Sequence, residues 1–280
     1  MTTIYSPSER GFDERLSAID RCQVALLREI IGQYGGRLTL KGGMAMRAVF
    51  GSLRLTKGIE FDRDPSLSLD SAKGGLPKAL VRAAANAGIR QPDAQITKLT
   101  QTTVRARLSG RSLSGIDLRF EVEVSGRGAA DPAHKRRETV VPPASYGMAP
   151  FIVESYSNEM LAAMKIAAAM SETRNAPRDV YDLHDLLTAG VDPAELLASR
   201  PAAALKQIHD GALHKLELIS FALAREELLP YLPPDVRQSL TPDRWLEYTL
   251  AVGASIEDWT SKALAIQDQS SLGGAGRSAP

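Results

Sequence analysis

Apolar residues recur at helical spacing in the first part of the chain. Between Phe12 and Tyr34 they fall three or four positions apart, which predicts an amphipathic helix that covers one face of a sheet. These positions are Leu16, Ile19, Val24, Leu27, Ile30 and Ile31. The alternating Leu38 and Leu40 then predict the end of a strand, the pair Gly42-Gly43 a turn, and residues 44–50 a second helix.

A further strand is predicted from Leu55 up to Pro65. Because side chains alternate along a strand, Gly58, Glu60 and Asp62 face one way and the apolar residues between them face the other. Two carboxylates on one strand face can share a magnesium ion. Backbone amides at the start of the helix after the glycine pair attract phosphate. The segment is therefore typical of a nucleotide-handling site.

The chain next predicts a helix that begins at Pro77 and ends near Gly88, since proline favours the start of a helix and glycine its end. Strands are predicted around residues 95–99, 102–108 and 115–125, and together they suggest an antiparallel extension of the sheet. The charged residues on one face of the last strand are Asp117, Arg119, Glu121 and Glu123. Taken alone, such a face is the solvated surface of an edge strand.

Residues 127–150 are linker-like in composition, and their one dense basic cluster is His134, Lys135, Arg136 and Arg137. The rest of the chain predicts helices, with Trp245, Tyr248 and Trp259 as core anchors. Helices are expected after Ser157-Asn158, from Arg178, over 205–229 and over 242–266. We therefore predict an α+β protein with a mixed-sheet lobe (1–128), a linker (129–150), a helical lobe (151–266) and a disordered tail (267–280).

Composition narrows the function classes. A hydrophobic share of 44% and a charged share of 24% are typical of a globular protein. The net charge of +1 gives no general attraction for nucleic acid, so any RNA contact must come from a local patch such as residues 134–137. The single cysteine, Cys22, excludes an internal disulfide and is expected to be a buried, inert thiol. The four histidines lack metal-ligand spacing, and no segment resembles a membrane span or a secretion signal, so we expect a cytoplasmic protein.

Two sequence blocks resemble one known family. The first reads LTLKGGMAMRAVFGSLRLTKGIEFD and the second contains Lys165 followed by RDVYDL. They are similar to the AbiEii/MenT-type nucleotidyltransferase toxins, a branch of the DNA polymerase β-like nucleotidyltransferases. The matching positions are Lys41, Gly42, Gly43, Ala45, Arg47, Thr56, Lys57, Ile59, Glu60 and Phe61, and then Lys165, Arg178, Asp179, Val180, Tyr181, Asp182 and Leu183. The resemblance covers roughly residues 36–190.

The resemblance implies a polymerase β-like lobe followed by a helical lobe, and a toxin of a toxin–antitoxin system that acts in phage defence. Such a toxin moves a nucleotide from an NTP to an RNA acceptor, tRNA in characterised relatives, with Mg²⁺ as cofactor and a cognate antitoxin as partner. Three sets of site residues are carried over by position. The catalytic residues are Glu60, Lys165 and Asp182, and the metal ligands are Glu60, Asp62 and Glu123. The nucleotide-binding residues are Lys41, Gly42, Gly43, Arg47 and Lys165. Glu121 is the reserve for Glu123, and Asp179 and Asp185 are interpreted as structural.

The chain departs from the family pattern at one important position. The first metal-binding Asp of the family's D-x-D motif falls on Gly58, and the second falls on Glu60. Three interpretations stay open: Asp62 replaces the missing ligand, the enzyme is weakened or inactive, or the chain has been altered deliberately. The corresponding alternative function is a catalytically silent relative that binds nucleotide or a partner protein. A purely structural protein is a third hypothesis, which two matching blocks disfavour.

Overall fold

The computed structural model describes residues 2–126 and 132–275. The chain divides into two compact units, one formed by residues up to Ser157 with Leu232–Pro234, the other by Asn158–Tyr231 with the residues from Asp235 onward. The first unit contains a mixed sheet with helices, and the second is helical. The mixed α/β character predicted from the sequence is therefore confirmed. No helix within the described ranges is long and apolar enough to span a membrane.

The first unit is built on an eight-stranded sheet. Its strands are β1 (Thr2–Thr3), β2 (Leu38–Lys41), β3 (Gly58–Arg63), β4 (Arg90–Leu99), β5 (Thr103–Arg111), β6 (Asp117–Ser125), β7 (Lys135–Val141) and β8 (Phe151–Tyr156). Their order in the sheet is β1-β7-β8-β2-β3-β6-β5-β4. The predicted antiparallel extension β4-β5-β6 is confirmed, and it joins the rest of the sheet through a parallel pairing of β6 with β3.

Two long helices cover one face of this sheet. They are α1 (Glu14–Tyr34), which confirms the amphipathic helix, and α3 (Leu69–Asn86). The helices contact each other, and α1 also contacts β3 and β8. The apolar residues of β3 and β6, such as Phe61 and Val122, are fully buried. The residues that alternate with them lie on the opposite face, where the charged side chains collect.

Helix α3 begins earlier than predicted. Ser68 caps it by accepting a hydrogen bond from the Ser71 amide, and Pro77 lies in its interior. Proline interrupts one i→i−4 hydrogen bond, and the carbonyl that loses its donor belongs to the exposed Lys73, where water can replace it. The predicted start at Pro77 was wrong because the Gly74-Gly75 pair before it has low helix propensity, which the cap at Ser68 overcomes.

The segment predicted as a linker contributes a strand. Residues 135–141 form β7, which pairs antiparallel with β8, and β8 in turn pairs parallel with β2. The Ser155 hydroxyl of β8 donates to the carbonyl of Leu40 on β2, at 3.0 Å. β8 therefore belongs to the sheet and not to the helical lobe. β7 was predicted as linker because its consecutive basic residues obscure the alternation of polar and apolar positions. The remaining linker residues 127–131 lie outside the described ranges.

The second unit is formed by α4 (Asn158–Ala169), α5 (Pro177–Thr188), α6 (Ala194–Leu197), α7 (Ala202–Glu217), α8 (Phe221–Glu227), most of α9 (Pro234–Ser239) and α10 (Pro242–Ala275). The helix predicted over 205–229 is two helices, because Ser220 caps α8 by accepting from the Leu223 amide. The Trp245 indole is buried and donates to the Ile219 carbonyl, as expected of a core anchor. Helix α10 continues through residues 267–275, so that part of the predicted disordered tail is wrong.

Candidate functional site

The glycine pair forms a tight turn between β2 and the short helix α2 (Gly42–Ala45), which continues as a π-helical turn over Met46–Phe50. Gly42 has a φ of +64°, in the left-handed region that favours glycine. A Cβ at Gly42 would lie 2.7 Å from Oε2 of Glu60, and one at Gly43 would lie 2.6 Å from Oγ1 of Thr56. The pair is therefore required both by backbone conformation and by the close approach of side chains from the neighbouring segment.

Four residues form a row across the open face of the sheet. Lys41 on β2 is the register partner of Glu60 on β3, Glu60 that of Glu123 on β6, and Glu123 that of Arg105 on β5. The row therefore has the charge order cation, anion, anion, cation. Adjacent strands lie about 4.8 Å apart, so the two carboxylates at its centre are neighbours. We call this set the Lys41–Arg105 row.

Asp62 lies one alternation beyond Glu60 on β3 and is held on both oxygens. Its Oδ1 pairs with Nζ of Lys41 at 2.6 Å, and its Oδ2 accepts a hydrogen bond from the Tyr156 hydroxyl at 2.9 Å. The residue is almost fully buried. Asp62 was predicted as a metal ligand, but in this arrangement it neutralises Lys41 and anchors β8.

The carboxylates of β6 are paired with arginines from β5. Arg105 donates from Nε and Nη2 to Oε2 of Glu123, at 2.9 and 2.7 Å, and contacts Glu121 at 3.3 Å. Arg107 contacts Glu121 alone, at 3.3 Å. Partial burial lowers the pKa of Arg105, but the hydrogen bonds and charge of Glu123 and the charges of Glu121 and Glu60 outweigh this effect and raise it. Arg105 is accordingly a permanent cation.

Glu60 differs from its neighbours Asp62, Glu121 and Glu123 on this face. It is exposed, and within residues 2–126 and 132–275 it makes no hydrogen bond or ion pair with another side chain. Its carboxylate lies against Gly42, at the turn where phosphate binding was predicted. Glu60 is thus the accessible acid of the face.

Gly58 leaves no space for the acid that the family pattern expects. A Cβ at this position would lie 2.5 Å from the backbone carbonyl oxygen of Glu121. Real Cβ atoms do not approach a backbone oxygen so closely, so any side chain here requires β6 to move away from β3. The loss of the first Asp is therefore built into the strand packing.

The carboxylates do not converge as a three-ligand metal site. Among the described residues there is no group of three or more His, Cys, Asp or Glu side chains placed to hold a metal ion. Mg²⁺ is, however, commonly bound by one or two carboxylates together with substrate phosphates and water. The neighbouring Glu60 and Glu123 fit an ion that enters with a triphosphate if Arg105 releases Glu123, whereas both carboxylate oxygens of Asp62 are held, by Lys41 and by Tyr156.

Arg47 was predicted to bind nucleotide, but its side chain is fully buried. The guanidinium donates to both oxygens of Asp20, at 3.1 and 3.0 Å, and to the carbonyl of Tyr5 at 2.7 Å. It also stacks on the Tyr5 ring, 3.9 Å from the centroid. In this arrangement Arg47 anchors the helical turn after the glycine pair to α1, and its guanidinium is not exposed on the open face of the sheet.

In the second unit, Lys165 on α4 is bracketed by two carboxylates of α5. Its Nζ lies 2.9 Å from Asp179 and 2.6 Å from Asp182, and all three side chains are buried. Asp179 also contacts Arg174 at 2.6 Å. The sequence predicted that Asp182 orients Lys165. Asp179, interpreted as a helix-terminus residue, does so equally, because residues three apart on one helix face the same neighbour.

The comparison with known proteins agrees with both blocks. The sequence model for the nucleotidyl transferase AbiEii toxin, a type IV toxin–antitoxin system protein, matches residues 25–264. The chain belongs to the AbiEii family. No protein of curated function matches the sequence significantly.

Several solved structures share the fold of this AbiEii chain, among them two from Helicobacter pylori and one from Mycobacterium tuberculosis. JHP933 from Helicobacter pylori has a TM-score of 0.57 at 16% identity, covering 95% of this chain and 100% of its own. A putative nucleotidyltransferase from H. pylori has a TM-score of 0.56 at 17% identity, covering 91% and 99%. MenT4, a nucleotidyltransferase toxin from Mycobacterium tuberculosis H37Rv, has a TM-score of 0.54 at 17% identity, covering 94% and 96%.

Membership in the AbiEii family makes this chain a nucleotidyltransferase-family toxin of a toxin–antitoxin pair, a family that generally uses NTP and a divalent metal ion.

Sequence analysis did not select two residues of the open face, Arg105 and Tyr156. The alternation of β5 placed Arg105 on a polar face, but only the pairing with β6 brings it to Glu123. Nothing in the sequence indicated that the Tyr156 hydroxyl would reach Asp62.

Proposed function

We propose that this chain transfers a nucleotide from an NTP to an RNA acceptor, with tRNA as the expected acceptor. The observation that carries the proposal is the exposed Glu60 carboxylate, which lies beside Gly42 and in register with Glu123. This arrangement combines backbone amides for phosphate with two neighbouring carboxylates on one open face. Glu60 and Glu123 are the proposed ion ligands, and Asp62 is withdrawn from the set.

The chain's own groups supply the binding and orientation that nucleotidyl transfer needs. The amides that follow Lys41 are the proposed phosphate donors at the glycine turn, where the side chains of Glu60 and Thr56 closely approach Gly42 and Gly43. A divalent ion bound by Glu60 and Glu123, Mg²⁺ in our proposal, would neutralise the charge that develops as pyrophosphate leaves. In the second unit, Lys165 keeps its predicted catalytic role as part of this proposal, and its ammonium is held by Asp179 and Asp182.

The acceptor and the partner follow from charge and family. Residues 134–137 carry the basic cluster, and three of them lie on β7. Lys135 contacts Glu154 at 3.4 Å, whereas Arg136 and Arg137 are exposed and are the proposed contacts for RNA phosphates. An antitoxin encoded with the toxin is the proposed protein partner, and the cytoplasm remains the expected location.

A second candidate function is a silent relative that binds nucleotide and does not transfer it. Two observations favour it: Gly58 has no space for the expected acid, and Asp62 is engaged by Lys41 and Tyr156. Both functions use the same turn and the same Glu60. They differ only in whether two carboxylates suffice for the chemical step.

Incubation of the purified protein with Mg²⁺, total tRNA and each α-³²P-labelled NTP distinguishes the two candidates. Label in RNA with the unmodified chain, and none with Glu60→Gln, supports transfer at this site. Binding of NTP without label in RNA supports the silent relative. Label that persists in Glu60→Gln contradicts the assignment of the site, and the exposed Glu14→Gln serves as a matched control variant on the surface of α1.

A further inference from the structure

Arg105 ends the Lys41–Arg105 row and faces three carboxylates of the open sheet face. It makes two hydrogen bonds to Oε2 of Glu123, one to Glu121, and interacts electrostatically with Glu60. Its side chain retains 35% of its accessible surface. The guanidinium therefore lies beside the proposed ion ligands and is still partly open to solvent.

The other cations of this unit that were expected to bind phosphate, Arg47 and Lys41, are less accessible than Arg105. Arg47 is buried with Asp20, and the Lys41 side chain is largely covered and paired with Asp62 at 2.6 Å. A triphosphate that approaches the glycine turn meets the negative Glu60 and Glu123, and it needs an accessible positive group to offset their repulsion. Within the row, Arg105 is the cation with the most exposed side chain.

Arginine suits this role because its planar fork binds carboxylate and phosphate with the same geometry. A guanidinium that contacts Oε2 of Glu123 can exchange that partner for a phosphate oxygen without a change in charge. A divalent ion that enters with the triphosphate needs the same carboxylate. The exchange thus leaves Glu123 with a positive partner both before and after binding.

We propose that Arg105 is a phosphate-binding residue of the nucleotide site, which serves as the counter-ion of Glu123 until ion and triphosphate arrive together. The inference rests on the proposed function, since it uses the same turn and carboxylates. It makes two distinct statements: Arg105 strengthens the binding of NTP, and it weakens the binding of a divalent ion in the absence of NTP. A purely structural link between β5 and β6 predicts neither.

Arg107 provides a matched control. It lies two residues along β5 on the same face, its side chain is 38% accessible, and it contacts Glu121 at 3.3 Å. Its register row contains Gly58 and Glu121 instead of Glu60 and Glu123. Loss of Arg107 therefore removes a similar surface ion pair outside the Lys41–Arg105 row.

The test compares the full chain with Arg105→Gln, Arg105→Lys and Arg107→Gln. Calorimetric titration with each NTP in EDTA is expected to show a loss of affinity of about 10-fold or more for Arg105→Gln, as for a lost charge-assisted hydrogen bond. Arg105→Lys is expected to retain part of the affinity and Arg107→Gln to stay within about twofold. Mn²⁺ alone, followed by electron paramagnetic resonance, is expected to bind more tightly to Arg105→Gln.

Equal NTP affinity in Arg105→Gln and Arg107→Gln overturns the inference, and so does Mn²⁺ binding that Arg105→Gln leaves unchanged or weakens. If the unmodified chain binds and transfers nucleotide while Arg105→Gln binds NTP normally, only the role of Arg105 is lost. If the unmodified chain binds no NTP with or without Mg²⁺, the proposed function fails together with this inference.

Discussion

Arg47 and Asp20 form a bidentate ion pair in the interior of the sheet-containing unit. Nε and Nη2 of Arg47 each donate to one Asp20 oxygen, and the Tyr146 hydroxyl donates to Oδ2 of Asp20 at 2.5 Å. Burial raises the pKa of Tyr146, and the charge of Asp20 raises it further, so the phenol remains a donor. The pair joins α1 to the turn that carries the glycines.

Arg47→Met is expected to lower the free energy of unfolding by about 3–5 kcal/mol, because it leaves the Asp20 carboxylate buried without its cation. The double variant Asp20→Leu/Arg47→Met is expected to recover part of this loss. Urea unfolding at constant pH measures both effects. An Arg47→Met protein of normal stability that no longer binds NTP would return Arg47 to the nucleotide site.

Gly58→Asp is expected to destabilise the protein and not to restore a metal ligand. The added Cβ meets the Glu121 carbonyl, and relief requires β3 and β6 to separate. Overpacking of this kind costs about 1–3 kcal/mol. Thermal unfolding of Gly58→Ala provides the control, since it adds the same Cβ without a charge. A Gly58→Asp variant with higher transfer activity and unchanged melting temperature would contradict the strand packing described above.

Glu60→Gln and Asp62→Asn are expected to separate function from stability. Glu60→Gln should abolish transfer, because Glu60 is a proposed ion ligand. Since Glu60 is exposed, the same substitution should alter the free energy of unfolding by less than about 0.5 kcal/mol. Asp62→Asn leaves the largely covered Lys41 ammonium without its counter-charge and should cost about 3–5 kcal/mol. Chemical denaturation and the label-transfer assay, run on the same preparations, test the pair. A stable and inactive Asp62→Asn variant would instead support Asp62 as an ion ligand.

Lys165→Met is expected to abolish transfer and also to destabilise the helical unit by about 3–5 kcal/mol, because Asp179 and Asp182 would remain buried without the ammonium. Arg174→Gln removes only the half-exposed partner of Asp179 and should cost at most about 1 kcal/mol. Unfolding curves for both variants measure the difference. A Lys165→Met variant as stable as the unmodified chain would contradict the stabilising role assigned to the ion pairs of Lys165 with Asp179 and Asp182.

His184 is expected to make stability depend on pH. Its ring stacks on Tyr248 with centroids 3.5 Å apart, and burial, aided by the charge of Arg244, lowers its pKa below the usual value of about 6.5. At a pH between the folded and the unfolded pKa of His184, the unfolded chain binds more protons than the folded protein. The contribution of the neutral, buried His184 to the free energy of unfolding is therefore present above about pH 6.5 and is lost as the pH falls. The melting temperature should fall less from pH 7 to pH 5 in His184→Gln than in the unmodified chain. Equal slopes would show that His184 is not responsible.

Elements with strong local signals could be predicted from the sequence. The 3.6-residue period of α1 and the alternation of β4 to β6 are properties of contiguous residues, and the structure contains all of them. β7 was missed because its outer residues are basic and prolines follow it at 142 and 143. The start of α3 was missed because Gly74 and Gly75, which have low helix propensity, separate the Ser68 cap from the helical pattern that begins at Leu76.

The candidate site was predictable in its residue types but not in its pairings. Glu60 and Glu123 were both selected from sequence, and the parallel pairing of β3 with β6 makes them neighbours. The roles of Asp62 and Arg47 depend on Tyr156 and Asp20, which come from distant segments. Whether a charged side chain is buried depends on such distant partners, so the residues next to it in the sequence do not predict its burial.

The position of β8 has a consequence for the synthesis of this toxin. Leu40 and Ser155, which join β2 to β8, are 115 positions apart in the chain. At about 5–20 residues per second, the ribosome needs on the order of 10 s to bridge that gap. Until then the inner edge of β2 is open and Asp62 lacks the Tyr156 hydroxyl. A nascent chain therefore carries the glycine turn and Glu60 without a finished sheet until β8 has left the ribosome.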